Sequence, residues 1–271
     1  LASSQYPRVL HVFSPVVNLI NEHADLLSLA HPRLGRGPFS LTFTENPPDL
    51  QQHVTSTSVV SINDQHLHVG ALDVDLAHAA DWNPRPDWHA RRSTPATLIT
   101  QIEAILAIEA PNDSMALALT APEQTERISD RFLAKARQGI EAFSSGLEDG
   151  DAATLASGVR QLAGLGIGLT PAGDDFLIGA MHGLWLRLPP EAAKALCSAI
   201  FAAADGRTNM LSQAWLLAAS AGEAGEVWHE LLAAEAHAHD AVIRRTLPTG
   251  PTSGGDALAG CRHILKMRIP A

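Results

Sequence analysis

Two cysteines, Cys197 and Cys261, are too few and too far apart for a disulfide framework or a zinc module. Both lie in apolar, helix-like surroundings and read as buried thiols of a reducing compartment. No apolar run approaches the ~20 residues that span a bilayer, and no signal peptide is visible, so a cytoplasmic protein with no membrane partner is expected. The chain opens on Leu1 rather than Met, so a native start upstream is expected. Basic residues are scarce: 19 Lys and Arg stand against 29 Asp and Glu, a formal charge of −10. With no Lys/Arg block, this balance argues against a nucleic-acid partner or an anionic membrane surface. Gly-x-Ser-x-Gly, His-Glu-x-x-His and Walker-type loops are also missing.

What is present is ample core material. Apolar residues make up 46% of 271, enough for one large domain or two modest ones. The first ~90 residues read as β-rich by pattern. Residues 8–14, 16–20 and 26–30 are short runs separated by Pro15 and a polar stretch, and residues 39–43 alternate Phe, Ser, Leu, Thr, Phe. Residues 59–62 and 66–70 flank Asn63-Asp64-Gln65, a hairpin turn by composition. Residues 82–92 carry two prolines and several charges and read as an exposed loop.

Helical spacing then takes over. Thr94-Pro95 supplies an N-cap with proline at the first helical position, followed by Leu98, Ile102, Ile105 and Glu109 at helical intervals. Residues 114–120 read as one more strand. Residues 123–147 place Ile128, Phe132, Ala136, Ile140 and Phe143 on one stripe. Further helices are expected at 151–163, 174–187, 190–204, 208–221, 225–246 (with a break) and 254–268. The expected fold is α+β: a β-rich domain over 1–121 and a helical domain over 122–271, joined near Ala121-Pro122.

The strongest signal is Gly164-Leu-Gly-Ile-Gly-Leu-Thr-Pro-Ala-Gly-Asp-Asp-Phe-Leu-Ile-Gly179. Gly164 suits a helix terminus, while Gly166 and Gly168 allow a tight bend or a ligand's close approach. Thr170 is placed to cap the next helix, with Pro171 at its first position. Such a helix start offers amides and partial positive charge to a phosphate or carboxylate. Asp174 and Asp175 follow in the first turns. Read plainly, they stabilise the helix start; read more sharply, they hold a metal, a substrate amide or an ammonium group.

A second copy follows as Pro251-Thr-Ser-Gly-Gly-Asp-Ala-Leu-Ala-Gly260. Setting Gly173 on Gly254 places Asp175 on Asp256, Leu177 on Leu258, Gly179 on Gly260 and His182 on His263. Two such helices packed through their glycines would bring both aspartates and both N-termini into one pocket. The candidate catalytic residues are therefore Asp174, Asp175 and Asp256. Anion- or substrate-binding candidates are Gly166, Gly168, Thr170, Gly173, Thr252, Ser253, Gly254 and Gly255, and Asp175 and Asp256 are the candidates for a metal such as Mg²⁺. Asp and His two turns apart, ~10 Å along one helix, are poor co-ligands, so His182 and His263 read as structural. His66 and His68 share a strand face, but nothing else in the sequence supports a metal there.

The two Gly/Asp strings resemble the AllH (also called YlbF) family, named for a subunit of oxamate carbamoyltransferase, many of whose members carry only the description of a domain of unknown function. The similarity extends to Asn18-Leu19-Ile20, Gly37-Pro38 and the segment from Thr208 to Ser212. Motif positions carried over are Gly168, Thr170, Pro171, Asp174, Asp175 and Gly179, then Thr252, Ser253, Gly254, Asp256 and Gly260. The resemblance implies conversion of oxalurate and phosphate to oxamate and carbamoyl phosphate in anaerobic allantoin breakdown, by a complex of three different subunits. Partners would then be other carbamoyltransferase subunits and a small anionic substrate. Two alternatives stand beside this. One is a stand-alone hydrolase or small-anion-binding protein with Mg²⁺ or Mn²⁺ on the aspartates, loosely like helical ADP-ribosyl hydrolases. The other is a scaffold subunit with no chemistry of its own.

Overall fold

Short alternating runs and tight turns shape the start of the chain. The computed structural model describes residues 8–63, 65–90, 95–111, 114–120 and 130–269. Strands β1 (Arg8–Phe13), β2 (Val16–Ile20), β3 (Leu26–Ala30) and β4 (Ser40–Thr42) form one sheet in that order. The first two pairings are antiparallel, whereas β3 and β4 run parallel with Leu29 opposite Leu41. After the single-turn helix α1 (Leu50–His53), strands β5 (Val60–Ile62), β6 (His66–Val69) and β7 (Leu72–Asp75) make a second, antiparallel sheet. Val17, Leu19, Leu29, Leu50, Leu67 and Val69 fill the core of this unit. Asn63 accepts from the Gln65 and His66 amides at the predicted turn, as an Asx turn requires; Asp64 lies outside the described residues.

The chain divides into two compact units, 1–84 and 85–271. The predicted join at Ala121-Pro122, the Thr94 cap and the Ile128 end of the amphipathic stripe lie outside the described residues. The second unit holds α2 (Pro95–Glu109), α3 (Ala116–Thr120), α4 (Asp130–Asp149), α5 (Ala152–Leu162), α6 (Ala172–Arg187), α7 (Pro190–Ala204), α8 (Met210–Ser220), α9 (Glu226–Ala233), α10 (His239–Thr246) and α11 (Ser253–Lys266). The predicted break in 225–246 is a 3₁₀ turn at Ala236–Ala238. The fold is α+β: among the described residues the β-sheets lie within 8–75, and helices dominate 95–266. Among the described residues, no helix is long and apolar enough to cross a membrane.

One expectation needs correction and another an exception. Residues 114–120 are not a strand. Ser114 accepts from the Ala116 amide and starts α3, and an apolar run this short carries no decisive period. The stretch around Trp88 is a loop with Asn83, Arg85, Asp87, His89 and Ala90 exposed, as expected, but Trp88 itself turns inward. The indole is buried, donates to the Gly222 carbonyl at 2.9 Å, and packs with Trp228 and His182.

Helix α6 is buried on every face from Ala172 to Leu186, so it has no amphipathic stripe to display. Its main partner is α11, and glycines allow the approach. A Cβ on Gly179 would sit 1.8 Å from the Ala257 carbonyl oxygen; one on Gly260 would sit 2.0 Å from that of Phe176. These contacts exchange under the motif alignment, since Phe176 corresponds to Ala257. Gly173 and Gly254 follow suit. Their added Cβ atoms would meet the last carbonyls of α5 and α10, Leu162 at 2.0 Å and Thr246 at 1.8 Å. The repeat is thus a helix–loop–helix unit, α5–α6 and α10–α11, used twice.

Because the clashing atoms are backbone, Gly179→Ala or Gly260→Ala must push the two helices apart. Overpacking should outweigh the ~1 kcal/mol that alanine gains as a helix former. Each variant should lose about 2 kcal/mol in urea unfolding. An unchanged midpoint would mean that the helices do not cross this closely.

Candidate active site

The two motif helix starts meet. Thr170 Oγ1 and Ser253 Oγ lie 2.9 Å apart, bridging the start of α6 to that of α11. Thr170 therefore does not cap α6. Pro171 holds the N-cap position in an extended conformation, with no side-chain cap, and the Thr170 hydroxyl turns to the partner helix.

The first-turn amides of α6 are largely occupied. Gly173 N–H donates to the Leu165 carbonyl, and Asp174 and Asp175 N–H donate to that of Pro171. This leaves fewer donors for an anion than a bare helix start would offer. Gly166 and Gly168 have φ of 125° and 97°, values that L side chains rarely adopt, and carry the loop over the helix start. The loop tip is open: Ile167 is 93% exposed, and space is free around Gly168.

The three aspartates have different environments. Asp174 is fully buried, and both oxygens are taken by the chain. Oδ1 accepts from the Gly164 amide at 2.8 Å, and Oδ2 accepts from the Thr208 hydroxyl. Burial raises its pKa, while Thr208, the Gly164 amide and Ser212 pull it down. This carboxylate ties the glycine loop to the loop before α8.

Asp175 and Asp256, the motif-equivalent pair, are only half tied. Asp256 Oδ1 accepts from Ser114 Oγ and Met115 N–H, both at 2.6 Å. Its Oδ2 is buried without a hydrogen-bond partner, and so is Oδ2 of Asp175. Burial pushes the Asp256 carboxyl up to about 6, against the pull of Ser114, the Met115 amide and Thr252. Burial drives Asp175 well above the usual carboxylate range. The charges of Asp256 and Asp174 push it further, while the hydroxyls of Ser253 and Thr170 oppose them. Asp175 therefore senses Asp256 across the helix pair.

Both carboxylates of the motif-equivalent pair are buried. Asp175 is 6% exposed and Asp256 0%. A cleft of about 240 Å³ lies by Pro95, Arg187, Leu265 and Met267, at the C-terminal ends of α6 and α11. Gly173 and Gly254 serve helix approach rather than facing open space, and Gly255 packs against Pro111 and Ser114. The sequence reading missed Ser114, a serine at the head of the apolar run 115–119. His182 and His263 are structural, as expected. His182 lies between Trp88 and Trp228, His263 meets Ser144 Oγ at 2.7 Å, and burial lowers both to a pKa of about 4. Cys197 and Cys261 are free, buried thiols whose burial raises both pKa values.

Fold and site together define an α+β protein built on a duplicated helix start with a buried carboxylate pair. Residues 162–265 match the family described as oxamate carbamoyltransferase subunit AllH, and residues 2–81 match the AllH family N-terminal domain. The chain belongs to the AllH family. Neither the curated proteins nor the solved structures compared with it include a match.

The raised Asp256 pKa links stability to pH. The folded state holds this proton more tightly than the unfolded chain, whose value is 3.8. The stabilisation is complete below pH 3.8 and is lost as pH rises through about 6, a loss of about 3 kcal/mol. Asp256→Asn keeps the acceptor for Ser114 and Met115 but cannot ionise. It should be more stable than the parent at pH 8 by about 1–3 kcal/mol, with the gap closing toward pH 4. Urea unfolding at pH 4, 6 and 8 checks this; a pH-independent gap would refute it.

Proposed function

We propose that the chain works as a subunit of an oxamate carbamoyltransferase complex, converting oxalurate and phosphate to oxamate and carbamoyl phosphate during allantoin breakdown. The observation that carries this reading is the motif-equivalent pair Asp175 and Asp256, each with one buried carboxylate oxygen left without a hydrogen-bond partner. The family description supplies the transferase context.

The chemistry asks for such groups. A phosphate oxygen attacks the ureido carbonyl carbon, the bond from that carbon to the oxamate nitrogen breaks, and the nitrogen takes up a proton. A carboxyl with a pKa near 6 is suited to donate it at neutral pH, and Asp256 has that value. The other oxygen of the pair accepts N–H from the carbamoyl or oxamate amide. In this reading Asp174 positions the glycine loop, with both oxygens already engaged. Phosphate binds at residues 166–170. A basic side chain from another subunit, or a Mg²⁺ that Asp175 and Asp256 would hold, would offset the carboxylate charge.

A subunit role also suits the surface at this site. Ile167 and Leu169 project from the loop beside the pair. The Leu169 carbonyl is held by Asn209, next to the exposed Met210. Covering these side chains with another subunit would seal the substrate from water and supply the missing cation.

The test is Asp175→Asn and Asp256→Asn in the reconstituted complex, with carbamoyl phosphate formation as readout. Each should lower kcat by about 10²-fold or more with the circular dichroism spectrum unchanged. If both variants keep near-normal rates and phosphate affinity, the aspartates serve the fold and the scaffold role gains. Loss of activity on chelation, restored by Mg²⁺, would place a metal on the pair.

A further inference from the structure

Strand β6 carries His66 and His68 two residues apart, so both project from one face, while Leu67 and Val69 between and after them are fully buried. A tight turn at Gly70, with φ +61°, returns the chain as β7. The register sets Val69 opposite Leu72, His68 opposite Asp73 and His66 opposite Asp75. Directly opposed residues of an antiparallel pair share a face. Asp73 therefore stands beside His68 and diagonal to His66.

The side chains converge. Asp73 Oδ1 is 2.9 Å from His66 Nδ1 and 3.3 Å from His68 Nδ1. The imidazoles stack in parallel, 5.7 Å between centroids and 7° between planes. The three donor atoms all lie within 4.8 Å of one another, the grouping of possible metal ligands found among the described residues. Asp75 is otherwise engaged, with Oδ1 accepting from the Ala77 amide at 2.7 Å.

We propose that His66, His68 and Asp73 bind one divalent transition-metal ion of the zinc class, with a coordination position left open. Zinc–nitrogen and zinc–oxygen bonds of ~2.0–2.1 Å in a tetrahedron put ligand atoms about 3.3 Å apart, close to the two distances to Asp73. Two neutral imidazoles and one carboxylate match borderline metals better than Mg²⁺ or Ca²⁺, which prefer all-oxygen shells. The ligand side chains are 39–56% exposed, so an ion can enter and retain water or a small ligand in the open position. The buried Leu67 and Val69 hold the strand that carries them. This site is independent of the transferase reading, because it uses neither motif.

The experiment is competition of the full chain against a chromophoric chelator for Zn²⁺ at pH 7.5. The parent should take up one equivalent at micromolar affinity or tighter. His66→Gln, His68→Gln and Asp73→Asn should each weaken it about tenfold or more, and the double variant H66Q/H68Q should lose the equivalent. His23→Gln, an exposed histidine elsewhere in the unit, should change nothing. Long-range ¹H–¹⁵N spectra of the parent keep the test independent of how the variants fold: Zn²⁺ should shift the ring nitrogens of two of the 13 histidines, in equal proportion. Absence of an equivalent tighter than about millimolar, its retention in H66Q/H68Q, or shifts spread over other histidines would overturn the proposal.

Discussion

Everything distinctive in the helical unit depends on two backbones touching. Gly179 against Ala257 and Gly260 against Phe176 leave no room for a Cβ between α6 and α11. That contact covers one face of α6, and α5, α7 and α8 cover the others. It also fixes Asp175 and Asp256, four residues before their glycines, at equivalent points on two helices locked together. Four motif glycines, at 173, 179, 254 and 260, thus serve helix approach. A motif that looks like a ligand cradle is largely a packing device, and under the proposed function its chemistry falls to the carboxylates that the packing holds.

The two copies have diverged where their tasks differ. In the first, Asp174 spans to Gly164 and Thr208 and ties down an exposed glycine loop. In the second, the equivalent position is Gly255, pressed against Pro111 and Ser114. Ser114 and the Met115 amide hold Asp256 from outside the repeat, whereas Asp175 faces hydroxyls belonging to the motifs themselves. The pair is equivalent by position but not by environment: burial raises both carboxyls, and different groups oppose it at each. A general acid and an amide acceptor on one pair need that kind of inequality.

Much of this was legible in the sequence, and the misses have physical reasons. The glycines and the Gly-x-Asp-x-Leu-x-Gly repeat gave the helix pairing, because mid-helix glycine is unfavourable unless something comes close. The sheets of the first unit were legible as alternation, but the parallel β3–β4 pairing depends on tertiary closure and has no local signature. Ser114 was misread because five apolar residues in a row fit strand and helix alike. Trp88 was misread because Pro84, Pro86 and Asp87 look solvated, while the indole finds its carbonyl at Gly222, 134 residues away. The Thr170 hydroxyl pairs with that of Ser253 across the two helix starts instead of accepting the cap bond expected of it. The face shared by His66 and His68 was readable from strand period alone. Asp73 joined it only once the hairpin register was known.

Burial of ionisable groups in the helical unit works in two opposing directions. His182 and His263 stay neutral, with pKa values near 4 against 6.5 unfolded, so acidification from pH 6.5 toward 4 costs each about 3 kcal/mol. Over much of the same range Asp256 acts oppositely, because its folded value near 6 exceeds 3.8. Protonation stabilises it as pH falls, and the raised values of Asp174 and Asp175 add in the same sense. The histidines alone would make the unit acid-labile, and the carboxyls alone would make it labile above neutrality. Together they flatten the dependence between about pH 4 and 6, so a flat curve for the parent chain would conceal large opposing slopes. Carboxyls whose pKa values burial raises gain stability when they are uncharged, which under the proposed function suits proton transfer rather than ion pairing. That separates Asp175 and Asp256 from helix-start aspartates, which stabilise by staying charged at the positive end of the dipole.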